Sequence, residues 1–147
     1  MKNCKNTITL ERPIEKVFDL ATTTKYWPIW HTQCLKVKGA TENPIQLNEE
    51  AREIVKLLGK KKWVEWTCVL HERPNKLILE SKSAQISSTI EYTFLKKNNA
   101  TEFTRFLTYQ FHPLLKPIEF LTSRAIRKHQ EKSMYQMKDF LLKNIPE

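Results

Sequence analysis

The sequence is short of glycine and of long apolar runs, and each shortage excludes a class of protein. Only 2 glycines stand beside 7 prolines, which leaves little room for a glycine-rich loop that cradles phosphate. No apolar run approaches the roughly 18 residues that a membrane-spanning helix needs. The N-terminal segment is polar where a signal peptide carries its apolar stretch, so we expect no export.

Cysteine is also scarce, and its placement argues against both disulfides and zinc. The 3 cysteines, Cys4, Cys34 and Cys68, are an odd and scattered set with no CxxC pair. Such a set fits reduced, mostly buried thiols in a cytosol better than a disulfide framework or a zinc site. We therefore predict a cytoplasmic protein without a metal site, and the sequence has no Walker loop or HExxH motif to indicate a cofactor.

Acidic residues are outnumbered by basic ones. Lys and Arg number 25 against 16 Asp and Glu, a net charge of +9 that draws the protein toward nucleic acid, acidic lipid or acidic partners. The cations are spread over the chain, so a solvated basic surface is the simpler explanation. The tightest clusters are Lys60–Lys62 and, at helical spacing, the set Arg124, Arg127, Lys128 and Lys132.

The pattern that is present indicates one domain over residues 1–147. An apolar fraction of 40% with 28% charged residues is typical of a globular chain, and this length suits one domain. We find no internal repeat or linker. The first predicted elements are a strand at Thr7–Glu11, a helix from Pro13, a short aromatic helix or turn within Lys25–His31, and a strand through Leu35 and Val37.

Five further strands and one long helix complete the predicted order. The strands are separated by turn signals, which favour antiparallel hairpins. They are Ala51–Leu58, Trp63–His71, Lys76–Ser83, Ile86–Lys97 and Thr101–Phe111, with the boundary between Ser83 and Ile86 left open. Helical spacing runs from Leu114 to Lys143. One stripe of this helix carries Leu115, Ile118, Thr122, Ala125, Ile126, His129, Ser133, Met137 and Phe140.

The last two predicted hairpins can be paired residue by residue. If Asn98-Asn99 is a two-residue loop, one face of the sheet collects the opposing pairs Phe94 and Phe103, Tyr92 and Arg105, Ile90 and Leu107, and Ser88 and Tyr109. The same reasoning around Pro74-Asn75 places Leu70 opposite Leu79, Cys68 opposite Ser81 and Trp66 opposite Ser83. The last hairpin therefore has one aromatic face and one polar face.

The aromatic face also carries polar residues, Arg105 foremost among them. An arginine in a dry core costs on the order of several kcal/mol unless it is paired and hydrogen-bonded. The helix stripe that would cover this face contains Thr122, His129 and Ser133. Polar groups on both walls favour a lined cavity over a packed core. The alternative is a register slipped by one residue, with Arg105 at the sheet edge or paired with an acid such as Glu53.

Four segments resemble a known superfamily. The run Ile8–Leu20, followed by the aromatic segment Tyr26–Trp30, is similar to the opening of the SRPBCC (START-like) superfamily in its polyketide cyclase/dehydrase branch. The segments His71–Leu77 and Asn99–Phe103 resemble that branch's turn and the start of its last strand. The chain departs from the pattern in having Asn-Asn-Ala where a glycine is usual and a phenylalanine in the first helix where tryptophan is common.

The resemblance implies an α+β, helix-grip fold. In this fold a seven-stranded curved antiparallel sheet wraps around a long C-terminal helix, and two short helices lie between strands 1 and 2. The shared property of the superfamily is a deep apolar cavity between sheet and helix. Its members bind lipids, sterols, quinones or polyketides, and only some of them catalyse. The fold does not determine the activity, so the site must be argued from its residues.

The wall of the predicted cavity supplies the candidate site. Arg105 offers a planar fork of donors that binds a carboxylate or polarises a carbonyl. His129 lies on the predicted helix stripe and would serve as a general acid or base, although a histidine satisfied by a neighbour is the simpler explanation. These two are the catalytic candidates. The ligand-binding candidates are Trp30, Trp66, Ser88, Ile90, Tyr92, Arg105, Leu107, Tyr109, Thr122 and His129.

Three functions of different classes stay open at this point. The first is a carrier or sensor of a small hydrophobic ligand, such as a lipid, a quinone or a polyketide-like molecule. The second is a metal-free cyclase or dehydratase that uses the same cavity. The third is a basic nucleic-acid- or ribosome-associated module, which the inward-facing aromatic residues disfavour because they offer no stacking platform. The sequence does not determine the oligomeric state.

A further contact is suggested by one hairpin tip. Trp63 stands beside Lys60, Lys61 and Lys62, and an aromatic residue next to a basic cluster is typical of transient contact with an anionic membrane. A solvated loop is the simpler explanation of the same residues.

Overall fold

A computed structural model describes residues 2–39, 41–83 and 86–143 of the chain. Its seven strands form one antiparallel sheet in the order β1-β7-β6-β5-β4-β3-β2. From β2 to β7, each strand is hydrogen-bonded to the strand that follows it in sequence, and β1 pairs with the free edge of β7. The strands are β1 (Lys2–Leu10), β2 (Cys34–Lys38), β3 (Glu50–Leu57), β4 (Lys60–Glu72), β5 (Lys76–Lys82), β6 (Ile86–Lys97) and β7 (Ala100–Phe111).

Two short helices, α1 (Ile14–Thr22) and α2 (Trp27–Trp30), lie between β1 and β2. Pro13 sits just before α1, where its fixed φ suits a helix start and its missing N–H costs nothing. The indole Nε1 of Trp27 donates to the Ala21 carbonyl over 3.1 Å. This bond ties α2 back to α1. Trp27 and Trp30 are thereby turned into the core, where both are buried.

The long helix α3 (Lys116–Lys143) follows a 3₁₀ turn at Pro113–Leu115. Its 28 residues span about 42 Å at 1.5 Å per residue. It packs on β1 and α2 and also touches β3. The predicted inward stripe is correct from Thr122 onward but not in the first turns, where Ile118 is 47% exposed.

The predicted pairing of the last hairpin is confirmed along its whole length. Tyr92 lies opposite Arg105, and Phe94 lies opposite Phe103. The inward positions of β7 alternate with outward ones from Thr101 to Tyr109, as a period of two requires. The aromatic face of this hairpin therefore lines the interior.

The predicted pairing of β4 with β5 is wrong. Leu70 lies opposite Ile78, and Cys68 lies opposite Leu79 rather than Ser81. The turn here has three residues, because Glu72 pairs with Lys76, and the register shifts again between Cys68 and Leu70. A one-residue irregularity of this kind moves every later partner along the strand.

The predicted helix-grip fold is confirmed. A seven-stranded antiparallel sheet curls around α3, and the two short helices stand between β1 and β2. The three cysteines are buried, as predicted. The junction that the sequence left open after Ser83 includes residues 84–85, which lie outside the described part. That residues 1–147 form a single domain stays a prediction. Among the described residues, we find no helix with the length and apolar character needed to cross a bilayer.

Candidate functional site

Arg105 lies inside the protein, with only 2% of its surface exposed. It projects from the middle of β7, between β1 and β6. Its Nη2 donates to Nε2 of His31 over 2.9 Å. Its Nε and Nη1 are buried and have no hydrogen-bond partner among the described residues. Two nitrogens of the guanidinium therefore have no acceptor in the interior.

His31 is held beside Arg105 by the end of α2. The backbone N–H of His31 donates to the Trp27 carbonyl over 2.8 Å at the end of α2. This hydrogen bond fixes the position of the His31 backbone, from which the ring projects. An arginine always donates, so Nε2 accepts and the proton of neutral His31 sits on Nδ1. Burial, together with the charge of Arg105, lowers the pKa of His31. His31 is therefore neutral near pH 7.

Glu53 stands on the other side of His31. One of its oxygens, Oε2, faces the Nδ1 of His31 at 3.6 Å, and the other accepts a 2.8 Å hydrogen bond from the Trp66 indole. Burial acts to raise the pKa of Glu53, but polar contacts with His31 and Cys34 and the bond from Trp66 hold that pKa below its usual value. One neutral imidazole thus lies between a carboxylate and a guanidinium. The alternative of a slipped register with Arg105 at the sheet edge is wrong, because the register is as predicted and Arg105 is buried. The alternative partner Glu53 lies close to Arg105, but His31 stands between them.

Aromatic rings surround the guanidinium. Its Cζ lies 5.7 Å from the Trp30 ring centroid and 5.8 Å from that of Tyr92. Trp30 is fully buried, and its indole Nε1 also lacks a hydrogen-bond partner among the described residues. Phe103 stacks on Phe94 with centroids 4.9 Å apart and meets Trp30 edge-on. The unused donors of Arg105 and Trp30 therefore sit among apolar walls.

His129 is placed near this group but not in it. Its Nδ1 lies 2.9 Å from the Thr32 hydroxyl, and the Ser133 hydroxyl accepts from the Thr32 N–H over 3.0 Å. Thr32 directly follows His31, so α3 is joined to the segment that carries His31. Burial and, to a smaller extent, Lys132 lower the pKa of His129. The ring is half-buried and has a neighbour that satisfies it.

The other predicted site residues divide into two groups. Trp66 reaches the site through Glu53, and Tyr92 lines it directly. Tyr109 is four residues beyond Arg105 on β7, about 13 Å along the strand, and packs against Phe111 instead. Buried residues elsewhere on the inner walls are Ile90, Leu107 and Thr122, and Ser88 is half-buried. The roles of all these residues in ligand binding stay predictions.

Sequence reasoning missed His31 as a site residue and named Glu53 only as an alternative partner. The signal for Glu53 was its position two residues after Ala51, since Ala51 pairs with the inward Trp66 across β3 and β4. Residues two apart on a strand share a face. His31 had no such signal, because it follows a four-residue helix and no periodic pattern sets the direction of its ring.

The side chains of His31, Cys34 and Glu53 bring three metal-ligand atoms within 4.8 Å of one another. The geometry does not fit a metal. A metal on Nδ1 of His31 would require a proton on Nε2, yet Nε2 already accepts from Arg105. Burial and the charge of Glu53 raise the pKa of Cys34, which opposes formation of the thiolate that a metal needs. Within this cluster, His31 supports Arg105 by accepting its hydrogen bond.

A pocket of about 250 Å³ lies at one end of the sheet, apart from Arg105. It is lined by the end of β7, the start of β1 and the start of α3, and its residues are Lys2, Tyr109, Gln110, Phe111, Pro113, Lys116 and Glu119.

The curled sheet, the long helix and the polar group between them define a START-like protein. The profile of a family described as polyketide cyclase / dehydrase and lipid transport matches residues 1–141. The chain belongs to this family. Members of such a family bind hydrophobic ligands or cyclise them, so the family supports a ligand-binding interior in general terms. No curated protein matches the sequence.

Solved structures resemble the whole described fold at low sequence identity. TTHA0849 from Thermus thermophilus has a TM-score of 0.78 at 15% identity, covering 96% of this chain and 97% of that one. A START superfamily protein from Mycobacterium smegmatis has a TM-score of 0.65 at 10% identity, over 92% and 98%. DynU16, from the dynemicin biosynthetic locus, has a TM-score of 0.71 at 11% identity, over 97% of this chain and 48% of its own. At these identities the likeness concerns the fold.

Proposed function

We propose that the protein binds a small hydrophobic ligand between the sheet and α3 and that Arg105 holds the polar end of that ligand. The observation that carries this proposal is the buried guanidinium with two unused nitrogens. A buried donor without an acceptor costs about 1–3 kcal/mol, and more when it is charged. A ligand oxygen at Nε and Nη1 would remove that cost.

The unused groups favour a particular ligand chemistry. Arg105 and Trp30 offer only donors, and the unpartnered acceptor beside them, Oε2 of Glu53, already faces Nδ1 of His31 at 3.6 Å. The ligand therefore presents an oxygen acceptor, such as a carbonyl or carboxylate, on an apolar body. Lipids, quinones and polyketide-like molecules all have this form. The proposed walls are Trp30, Trp66, Ile90, Tyr92 and Leu107, with Ser88, Tyr109, Thr122 and His129 as further polar points.

The test compares two probes of nearly equal shape. Menadione carries two ring carbonyls, and 2-methylnaphthalene carries none. We expect the wild type to bind menadione more tightly, and Arg105→Leu to weaken menadione about tenfold or more while leaving 2-methylnaphthalene unchanged, since a hydrogen bond to a charged group contributes about 1.5–3 kcal/mol.

The matched control is Arg124→Leu, which removes an exposed arginine from α3. It should leave both affinities at the wild-type value. Equal menadione affinity in the wild type and Arg105→Leu would show that Arg105 does not hold the polar end of the ligand. Native mass spectrometry of freshly purified protein addresses the ligand itself, because a carried molecule would add a defined mass.

A cyclase or dehydratase is the second candidate, and one observation favours it. The lowered pKa of His129 leaves its ring neutral near pH 7, as a general base requires, and Thr32 joins it to the segment that carries His31. Turnover of a linear poly-β-ketone that is lost in His129→Gln would support this candidate. Binding of the ketone without turnover would leave the carrier function.

The nucleic-acid module remains the third candidate, and only the exposed basic residues of α3 favour it. Of the aromatic residues of β6 and β7, Tyr92, Phe94 and Phe103 are buried in the interior and offer no stacking platform. A cytoplasmic location remains part of the proposal.

A further inference from the structure

Large apolar side chains crowd the outer surface where α3 begins. Leu114 is 83% exposed, Phe120 67%, Leu121 57% and Ile118 47%. Phe120 and Leu121 lie on the side of the helix opposite the buried Ile126, by the 100° spacing of helical residues. We call these four residues the apolar tip. Exposed apolar residues grouped in this way mark a contact surface.

A basic band follows the apolar tip along the same helix. Arg124, Arg127, Lys128 and Lys132 are all exposed, and none of them forms an ion pair with another described residue. Leu121, Arg124 and Lys128 are spaced by three and four residues, so the tip and the band share one outward face. Glu119, the acid within the tip segment, forms an ion pair with Lys2 at 3.7 Å.

The apolar tip borders the 250 Å³ pocket at the end of the sheet. Pro113 and Lys116 line this pocket and alternate in sequence with tip residues. Tyr109, on the pocket wall, is an inward residue of the strand that carries Arg105. The apolar tip therefore lies at the end of the sheet that carries this pocket.

We propose that the start of α3 docks on an anionic lipid bilayer, with the apolar tip among the headgroups and upper acyl chains and the basic band against lipid phosphates. An apolar patch alone would also fit a second copy of the chain, and a basic surface alone would also fit nucleic acid. An apolar end followed by cations on one helix face fits an anionic bilayer, because the apolar side chains enter the acyl-chain boundary while the cations contact the lipid phosphates.

This surface differs from the Lys60–Lys62 hairpin that the sequence suggested. The aromatic residue of that hairpin, Trp63, is 48% exposed but has the Arg52 guanidinium over its ring at 5.3 Å. The hairpin thus presents one half-exposed ring in contact with a cation, whereas the tip presents four apolar side chains that are 47% to 83% exposed. The tip is the stronger contact surface.

The test is flotation with lipid vesicles. Wild type should bind vesicles of phosphatidylcholine with about 30 mol% phosphatidylserine, bind pure phosphatidylcholine weakly, and lose binding as salt rises. The double variant Phe120→Ser, Leu121→Ser and the double variant Arg124→Glu, Lys128→Glu should each reduce binding roughly tenfold or more. Leu95→Ser, which removes an exposed apolar side chain near the turn between β6 and β7, should bind as the wild type does.

Several outcomes overturn the proposal. Vesicle binding that is unchanged in both double variants of α3 would overturn it. A double variant Lys60→Glu, Lys61→Glu that loses binding while both variants of α3 keep it would place the contact at the hairpin instead. If the wild type binds no vesicles but forms a dimer, and Phe120→Ser, Leu121→Ser makes that dimer dissociate, the tip is an interface with a second copy of the chain. All altered residues are exposed, so thermal melting should confirm that each variant folds. Vesicle binding does not depend on menadione binding, so the two proposals fail separately.

Discussion

A neutral histidine between two charged side chains is the central feature at the scale of single residues. His31 accepts from Arg105 on one nitrogen and faces Glu53 with the other. Its lowered pKa keeps it uncharged, so the buried group carries one positive and one negative charge. A second positive charge on His31 would stand 2.9 Å from the Arg105 guanidinium. Protonation of His31 in the folded state is therefore unfavourable.

This arrangement predicts a loss of stability in mild acid. The pKa of His31 is lower in the folded state than the ordinary value of about 6.5, so the unfolded chain binds the extra proton first. The stability is complete above about pH 6.5 and falls as pH drops toward the folded pKa. Urea denaturation at a series of pH values should show that the free energy of unfolding falls below about pH 6.5.

His31→Gln should make that fall shallower, because the variant removes one of the groups that cause it. The fall should not vanish, since the lowered pKa of His129 acts in the same direction. Gln136→Ala, at an exposed side chain of α3 that carries no proton equilibrium, is the control and should keep the wild-type slope. A wild-type slope in His31→Gln would contradict the neutral assignment of His31.

At the scale of elements, one carboxylate joins three parts of the fold. Glu53 is on β3, it accepts from Trp66 on β4, and it faces His31 at the end of α2. The side chain is 2% exposed, so water does not replace these contacts. The charge of Glu53 also balances Arg105 on β7. The inner wall therefore depends on this residue in several places at once.

Glu53→Gln should be strongly destabilising. The amide keeps the size of the side chain and an acceptor for Trp66, but it leaves the positive charge of Arg105 without a balancing one. A hydrogen bond to a charged group, such as the one from Trp66, contributes about 1.5–3 kcal/mol, and the variant weakens it while leaving this charge unbalanced. The exposed Glu65, 3.7 Å from Arg52, provides the control, and Glu65→Gln should cost about 0–1 kcal/mol. Similar unfolding free energies for the two variants would show that the charge of Glu53 is not needed.

The elements also show where sequence reasoning succeeds and where it stops. The register of β6 and β7 followed from a two-residue loop, and the buried position of Arg105 followed from that register. The register of β4 and β5 did not, because a three-residue turn and a bulge near Cys68 shift it. The contact of His31 with Arg105 joins residues 74 apart in sequence and depends on how α2 packs. No local pattern contains that information.

At the scale of the whole molecule, the two walls of the interior differ in how their polar groups are satisfied. On α3, Thr122 donates to the Ile118 carbonyl, Gln130 to the Cys4 carbonyl and Ser133 to the His129 carbonyl. On the opposite wall, Arg105 and Trp30 keep unused donors. Apart from the Ser123 hydroxyl, the buried polar side chains of α3 are satisfied by the protein, so we expect the polar end of the proposed ligand beside β7 and α2.

The most direct measurement follows the Arg105 side chain itself while a ligand is added. In a ¹H–¹⁵N NMR spectrum of the arginine side chains, the Nε–H signal that disappears in Arg105→Lys identifies this residue. We predict that this signal shifts as menadione is added, reaches its end point with the binding curve, and stays in place with 2-methylnaphthalene. Saturated menadione binding with the Arg105 signal unmoved would contradict the account, because the ligand would then lie elsewhere.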